Sequence, residues 1–85
     1  MSQLLFTQQA TKALRKMPSN WSKRIRKKLI QVAAEPYGQH NNVTKLQGRN
    51  GYRLRVGDWR IIYEIKDGEL VVLVLKIASR GDIYQ

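Results

Sequence analysis

Three arginines, Arg53, Arg55 and Arg60, carry the most specific chemistry in this 85-residue chain. They lie in Gly51-Tyr52-Arg53-Leu54-Arg55-Val56-Gly57-Asp58-Trp59-Arg60-Ile61-Ile62-Tyr63-Glu64-Ile65, where Tyr52, Leu54 and Val56 alternate with Arg53 and Arg55. Alternation with period two marks a half-buried strand. Gly57-Asp58 interrupts it, and a two-residue loop led by glycine suits a type II′ hairpin turn, whose first position needs positive φ. The register follows from that loop: Val56 faces Trp59, Arg55 faces Arg60 and Arg53 faces Ile62. All three guanidinium groups then share one face. Like charges placed opposite each other destabilise a sheet, so the pattern implies an anion to receive. Guanidinium groups fixed on strands suit the charge that builds on phosphoryl oxygens during displacement. The competing reading is a solvated outer face on a basic protein.

The hairpin needs a layer to rest on, and the first half of the chain supplies it. Leu4-Leu5-Phe6 reads as a brief first strand. Thr7 is placed to cap a helix carrying Ala10, Ala13, Leu14 and Met17 at helical spacing. Pro18 ends that helix. Ser19 is placed to cap a second one, with Trp21, Ile25, Leu29, Val32 and Ala33 as its apolar stripe and Lys23, Arg24, Lys27 and Lys28 directed away from it. Pro36 and Gly38 stop this helix, giving an α-hairpin. Tyr37 to Asn42 is a loop holding the single histidine, His40, which has no neighbouring groups to form a catalytic set. Val43 to Leu46 adds a short extended piece before the turn-rich Gln47-Gly48-Arg49-Asn50. After the hairpin, Asp67-Gly68 signals a tight turn. Leu70 to Leu75 follows without a polar residue, as expected of an interior strand covered on both faces. The order is β-α-α-β-β-β, an α+β fold with an antiparallel sheet and a helical hairpin packed on one face. Trp59, Tyr52 and Tyr63 then lie opposite the arginines, as core contacts beneath the helices.

Residues 1–85 read as one domain, of a size that buries only roughly 60–65% of its unfolded surface. Sixteen Lys and Arg against six Asp and Glu leave a net charge of +10, which points to a polyanionic partner. Residues 1–34 hold eight of the bases and no acid. Three readings fit the basic face of the second helix: a solvated surface, contact with RNA or ribosomal phosphates, or contact with an acidic protein. There is no cysteine, hence no disulfide framework or thiolate metal site. No apolar run of spanning length and no signal-peptide pattern is present, and a cytoplasmic location without a membrane partner is expected.

Lys45-Leu46-Gln47-Gly48, the Gly51–Ile65 hairpin, the Val/Leu strand and Ser79-Arg80-Gly81-Asp82-Ile83-Tyr84 together resemble the RelE/ParE superfamily of bacterial toxins, over essentially the whole chain. The ending Arg80…Tyr84 tilts the resemblance toward the RelE branch, whose members cleave mRNA in the ribosomal A site. The resemblance implies a catalytic set of Arg53, Arg55, Arg60, Arg80 and Tyr84. It also implies a reaction without metal or other cofactor, in which a ribose 2′-hydroxyl attacks the adjacent phosphorus to leave a cyclic phosphate and a 5′-hydroxyl. Lys23, Arg24, Lys27, Lys28, Lys45 and Arg49 are the accompanying candidates for RNA or ribosome contact. Arg53 and Arg55 stand where the family often has lysines. Arginine stays charged, so they act as charge stabilisers, and proton removal falls to Tyr84, Glu64, solvent or the ribosome. A salt bridge to an arginine is the other role for Glu64. Partners implied are an acidic, partly disordered antitoxin, the ribosome with its mRNA, and operator DNA through the antitoxin complex. With Gln85 as the last residue, the extra C-terminal helix that some members carry is not expected here. A ParE-like gyrase inhibitor on the same fold and a non-catalytic basic nucleic-acid-binding module are the alternatives.

Overall fold

The computed structural model describes residues 2–79, so Arg80 and Tyr84 of the expected catalytic set lie outside the described residues. Strand β1 (Gln3–Phe6) leads into helices α1 (Gln8–Lys16) and α2 (Ser19–Ala34). Strands β2 (Val43–Lys45), β3 (Tyr52–Val56), β4 (Trp59–Lys66) and β5 (Val71–Ser79) complete one sheet, in the spatial order β1-β5-β4-β3-β2. The α+β class and the helical hairpin on one face are as the pattern of residues predicts.

Two features of the sheet go beyond that expectation. The extended piece after the loop is a fifth strand, β2, with Val43 paired to Leu54 and Lys45 to Tyr52. The first strand also runs parallel to β5, with Gln3 beside Val71 and Phe6 beside Val74, so the sheet is mixed rather than wholly antiparallel. The helical hairpin causes this, because it carries the chain across the sheet before β5 is laid down, as parallel neighbours require. β5 is interior, as its apolar run predicts, although it begins at Val71 and not Leu70.

Thr7 caps α1 by accepting from the Ala10 amide (3.2 Å), while its own hydroxyl donates to the Leu75 carbonyl (2.7 Å). A single side chain therefore starts the helix and docks it on the sheet. Ser19 is not a cap. It is the first residue of α2, and Pro18 precedes it with φ −55°, its carbonyl accepting from the Trp21 and Ser22 amides. Proline at a helix start suits this geometry because its fixed φ is already helical. The turn at Asp67-Gly68 is longer than two residues. A 3-10 turn over Asp67–Glu69 and then Leu70, at φ 53°, separate the paired Lys66 and Val71.

The core lies between the helices and one sheet face. Leu14, Ile25, Leu29 and Val32 from the helices meet Leu54, Ile61, Tyr63, Val72, Val74 and Ile77 from the sheet. Each fully buried aliphatic side chain contributes roughly 1.5–3 kcal/mol. The predicted stripe of α2 is the face it buries, with Trp21 at its margin.

Candidate functional site

The hairpin register is the one its turn predicts: Val56 opposite Trp59, Arg55 opposite Arg60, Arg53 opposite Ile62. Gly57 has φ 58° and Asp58 is not in the positive-φ region, as a type II′ turn requires. Leu54, Ile61 and Tyr63 on one side of β3 and β4 are in the core. Their alternates Arg53, Arg55 and Arg60 therefore occupy the face away from the helices.

Each end of this arginine row is held. The Arg55 guanidinium donates to Asn42 Oδ1 (3.3 Å), and the Arg55 amide donates to the Asn42 carbonyl (2.9 Å). Asn42 itself adopts φ 67°, a region asparagine tolerates better than most residues. The Arg60 guanidinium donates to the carbonyls of Gly57 (3.2 Å) and Trp59 (3.3 Å), folding back over its own turn. Two like charges thus stand opposite each other, each steadied by a neutral acceptor. An oxyanion placed between them gains charge-assisted hydrogen bonds that neither arginine offers the other.

Beneath the arginines, Tyr63 is fully buried and stacks on Tyr52, with ring centroids 5.4 Å apart and planes at 18°. Burial, with Tyr52 adding to it, pushes the Tyr63 hydroxyl up from 10.0 to about 12. Trp59 packs against the same core, so all three aromatics serve the core as expected. Glu64, on the arginine side of β4, forms its ion pair with Lys66 (2.9 Å) instead of the arginine partner expected of it. That hydrogen bond raises the Lys66 pKa. His40 directs Nε2 at the Glu35 carbonyl (2.6 Å), a loop-closing contact.

The remaining basic candidates do not join the arginines. Lys23, Arg24, Lys27 and Lys28 are exposed on α2, whose buried stripe packs on the opposite face of the sheet. Arg24 lies over the Trp21 ring (4.6 Å). Lys45 pairs with Tyr52 and so shares the helix-side face; it lines a cleft of about 310 Å³ with Tyr37, Asn50 and Tyr52. Arg49 is exposed in the loop before β3. Two residues that do belong with the arginines were not singled out from the sequence. Asn42 holds Arg55 from 13 positions away, a link with no local signal. Lys76 is paired with Ile62, the partner of Arg53, and so shares the arginine face. The only cue to it is that a lysine ends an apolar run.

A two-helix layer over one face of a five-stranded mixed sheet is also the fold of known toxins from toxin–antitoxin pairs. The isolated Escherichia coli RelE toxin superposes with a TM-score of 0.81 at 28% identity, over 99% of this chain and 92% of that one. The archaeal RelE–RelB complex from Pyrococcus horikoshii OT3 gives 0.81 at 29% identity, over 95% of this chain and 97% of that one. The mRNA interferase toxin RelE of Escherichia coli K12 is 28% identical over 81 residues, covering 93% of this chain and 85% of that protein. A family model described as the ParE toxin of type II toxin-antitoxin system, parDE, matches residues 4–84. The chain belongs to the RelE/ParE superfamily of type II toxin–antitoxin toxins. Among the described residues no helix is long and apolar enough to cross a membrane.

Proposed function

We propose that this chain is a ribosome-dependent mRNA endonuclease that arrests translation by cutting mRNA in the ribosomal A site. The observation that carries the reading is Arg55 facing Arg60 across the hairpin, with Arg53 on the same face. The likeness to a protein named mRNA interferase RelE supports it. In the reaction, the ribose 2′-oxygen bonds to the adjacent phosphorus and loses its proton. The bond from phosphorus to the 5′-oxygen breaks, and that oxygen takes up a proton. The products are a 2′,3′-cyclic phosphate and a 5′-hydroxyl. Arg53, Arg55 and Arg60 stabilise the charge gathering on the phosphoryl oxygens. By resemblance, Arg80 neutralises the leaving oxygen and Tyr84 stacks on a base to orient the ribose. No metal is needed for these roles. Arginine stays charged, so proton removal is left to Tyr84, Glu64, solvent or the ribosome.

The toxin is held inactive by an acidic, partly disordered antitoxin, and the pair contacts operator DNA through the antitoxin. Lys23, Arg24, Lys27, Lys28, Lys45 and Arg49, all exposed, contact RNA or ribosomal phosphates. Expression of the wild type and of Arg60→Ala, with mapping of new mRNA 5′ ends, tests the reading. Cleavage ends confined to translated mRNA are expected for the wild type and absent for the variant. Growth arrest without such ends rejects it.

The family model's ParE description favours one second reading, a gyrase poison on the same fold. It gives early DNA-damage induction and stalled gyrase complexes while translation continues.

A further inference from the structure

Strand β5 changes phase midway. From Val72 to Val74 the alternate residues face the core, and continued alternation would turn Lys76 inward and Ile77 outward. Instead the β4–β5 register shifts between Ile62 and Tyr63: Tyr63 pairs with Val74 and Ile62 with Lys76, leaving Leu75 as the extra residue of a β-bulge. As a result Ile77, 1% exposed, enters the core beside Ile61, and Lys76 emerges on the arginine face. A bulge beside a site commonly serves to re-aim a side chain.

The bulge is a built feature. On its outer edge the Thr7 hydroxyl donates to the Leu75 carbonyl (2.7 Å). The Gln9 side-chain amide donates to the Ile77 carbonyl (3.1 Å) and its oxygen accepts from the Ile77 amide (3.0 Å). The cap and first turn of α1 thus supply, from the Thr7 and Gln9 side chains, the pairing that β1 no longer provides beyond Val74. Lys76 is flanked on both sides by these contacts.

The consequence for charge is geometric. Arg53, Ile62 and Lys76 form one row across β3, β4 and β5, with Lys76 two strand spacings, roughly 10 Å, from Arg53. Beyond Lys76 lies a groove of about 550 Å³ between α1 and β5, whose other wall carries Lys12 and Lys16. Positive charge therefore continues past the arginines toward α1. From this we propose that Lys76 is a substrate-positioning residue that binds a phosphate of the single-stranded RNA adjacent to the reacting phosphodiester. The inference rests on the nuclease reading and assigns that site an additional subsite.

The test is single-turnover cleavage by the full chain on programmed ribosomes, using mRNAs in which one linkage flanking the reacting bond is a neutral methylphosphonate. For the wild type, neutralising the linkage held by Lys76 should slow cleavage about tenfold, as loss of a charge-assisted contact does. Lys76→Met should slow cleavage of normal mRNA by a similar factor, and the methylphosphonate should then cost nothing more. Lys76→Arg should restore most of the rate, and an unchanged thermal unfolding midpoint excludes a structural cause. Lys76→Gln is the second variant, should the methionine variant fold poorly. Cleavage by Lys76→Met and Lys76→Gln at the wild-type rate, or additive losses at both flanking linkages, overturns the inference and leaves the nuclease reading standing. A wild type that leaves the programmed mRNA intact overturns the nuclease reading, and the subsite with it.

Discussion

The indole of Trp21 lies on the backbone of Gly57, so close that a β-carbon there would sit 2.5 Å from the ring's Cη2. The first turn of α2 therefore clamps the hairpin turn that sets Arg55 opposite Arg60, and the Arg24 guanidinium covers Trp21 at 4.6 Å. The glycine is required twice over, by its φ of 58° and by the ring above it. Gly57→Ala should lower stability by about 1–3 kcal/mol in chemical denaturation. In a Trp21→Ala background the same change should cost only its backbone part, about 1 kcal/mol. Equal costs in both backgrounds would show that the ring contact contributes nothing.

Arg55 is exposed and faces another cation, so its place in the sheet is unfavourable on electrostatic grounds. Arg55→Gln should leave stability unchanged or raise it by about 0.2–1 kcal/mol. The same variant should lose mRNA cleavage by roughly 10²–10³-fold, the cost of removing a preorganised oxyanion donor. A drop in both quantities together would make Arg55 a structural residue. Urea unfolding and mapping of mRNA ends, on one preparation, decide between them.

Gln9 uses both ends of its amide on Ile77. Gln9→Ala leaves that edge of β5 without its partner and should cost about 1–2 kcal/mol. Hydrogen exchange gives the local reading: the Ile77 amide should exchange faster, while the Ala10 amide, capped by Thr7, should not. Gln9→Glu keeps an acceptor for the Ile77 amide but loses the donor, so it should recover part of the protection.

Tyr63 supplies a pH dependence. Its hydroxyl ionises at 10.0 in the unfolded chain and at about 12 in the folded one, because burial disfavours the phenolate. The unfolded state thus loses the proton first. Stability from this group is intact below pH 10 and is lost as pH rises toward 12, at up to about 1.4 kcal/mol per pH unit. Tyr63→Phe should unfold less steeply across that window than the wild type. Parallel pH profiles for the two proteins would rule out a buried, shifted Tyr63.

Much of the site was legible because a short hairpin is a local object. Period-two alternation and a glycine-led turn are enough to set the register, and with it the common face of Arg53, Arg55 and Arg60. The stripe of α2 was legible for the same reason: Ile25, Leu29 and Val32 repeat at the helical period. Ser19 was misread because a hydroxyl and a proline both mark helix starts, and here the proline takes the outer position. Asp67-Gly68 was misread because the register of β5 places Val71 opposite Lys66, which leaves four residues to turn the chain.

What the sequence determined by itself was the common face of Arg53, Arg55 and Arg60, since the hairpin pairing that sets it lies within a dozen residues. Tertiary structure decided the rest. Leu70 to Leu75 is apolar throughout, so it has no alternation from which its facing could be read. Its phase depends on the bulge, and the bulge on Thr7 and Gln9, 68 residues away. Only the packing of α1 on that edge brings Lys76 to the arginines, as only the loop before β2 brings Asn42 to Arg55. Side chains meeting across such separations answer to the shape of the whole core, and no local pattern encodes that shape.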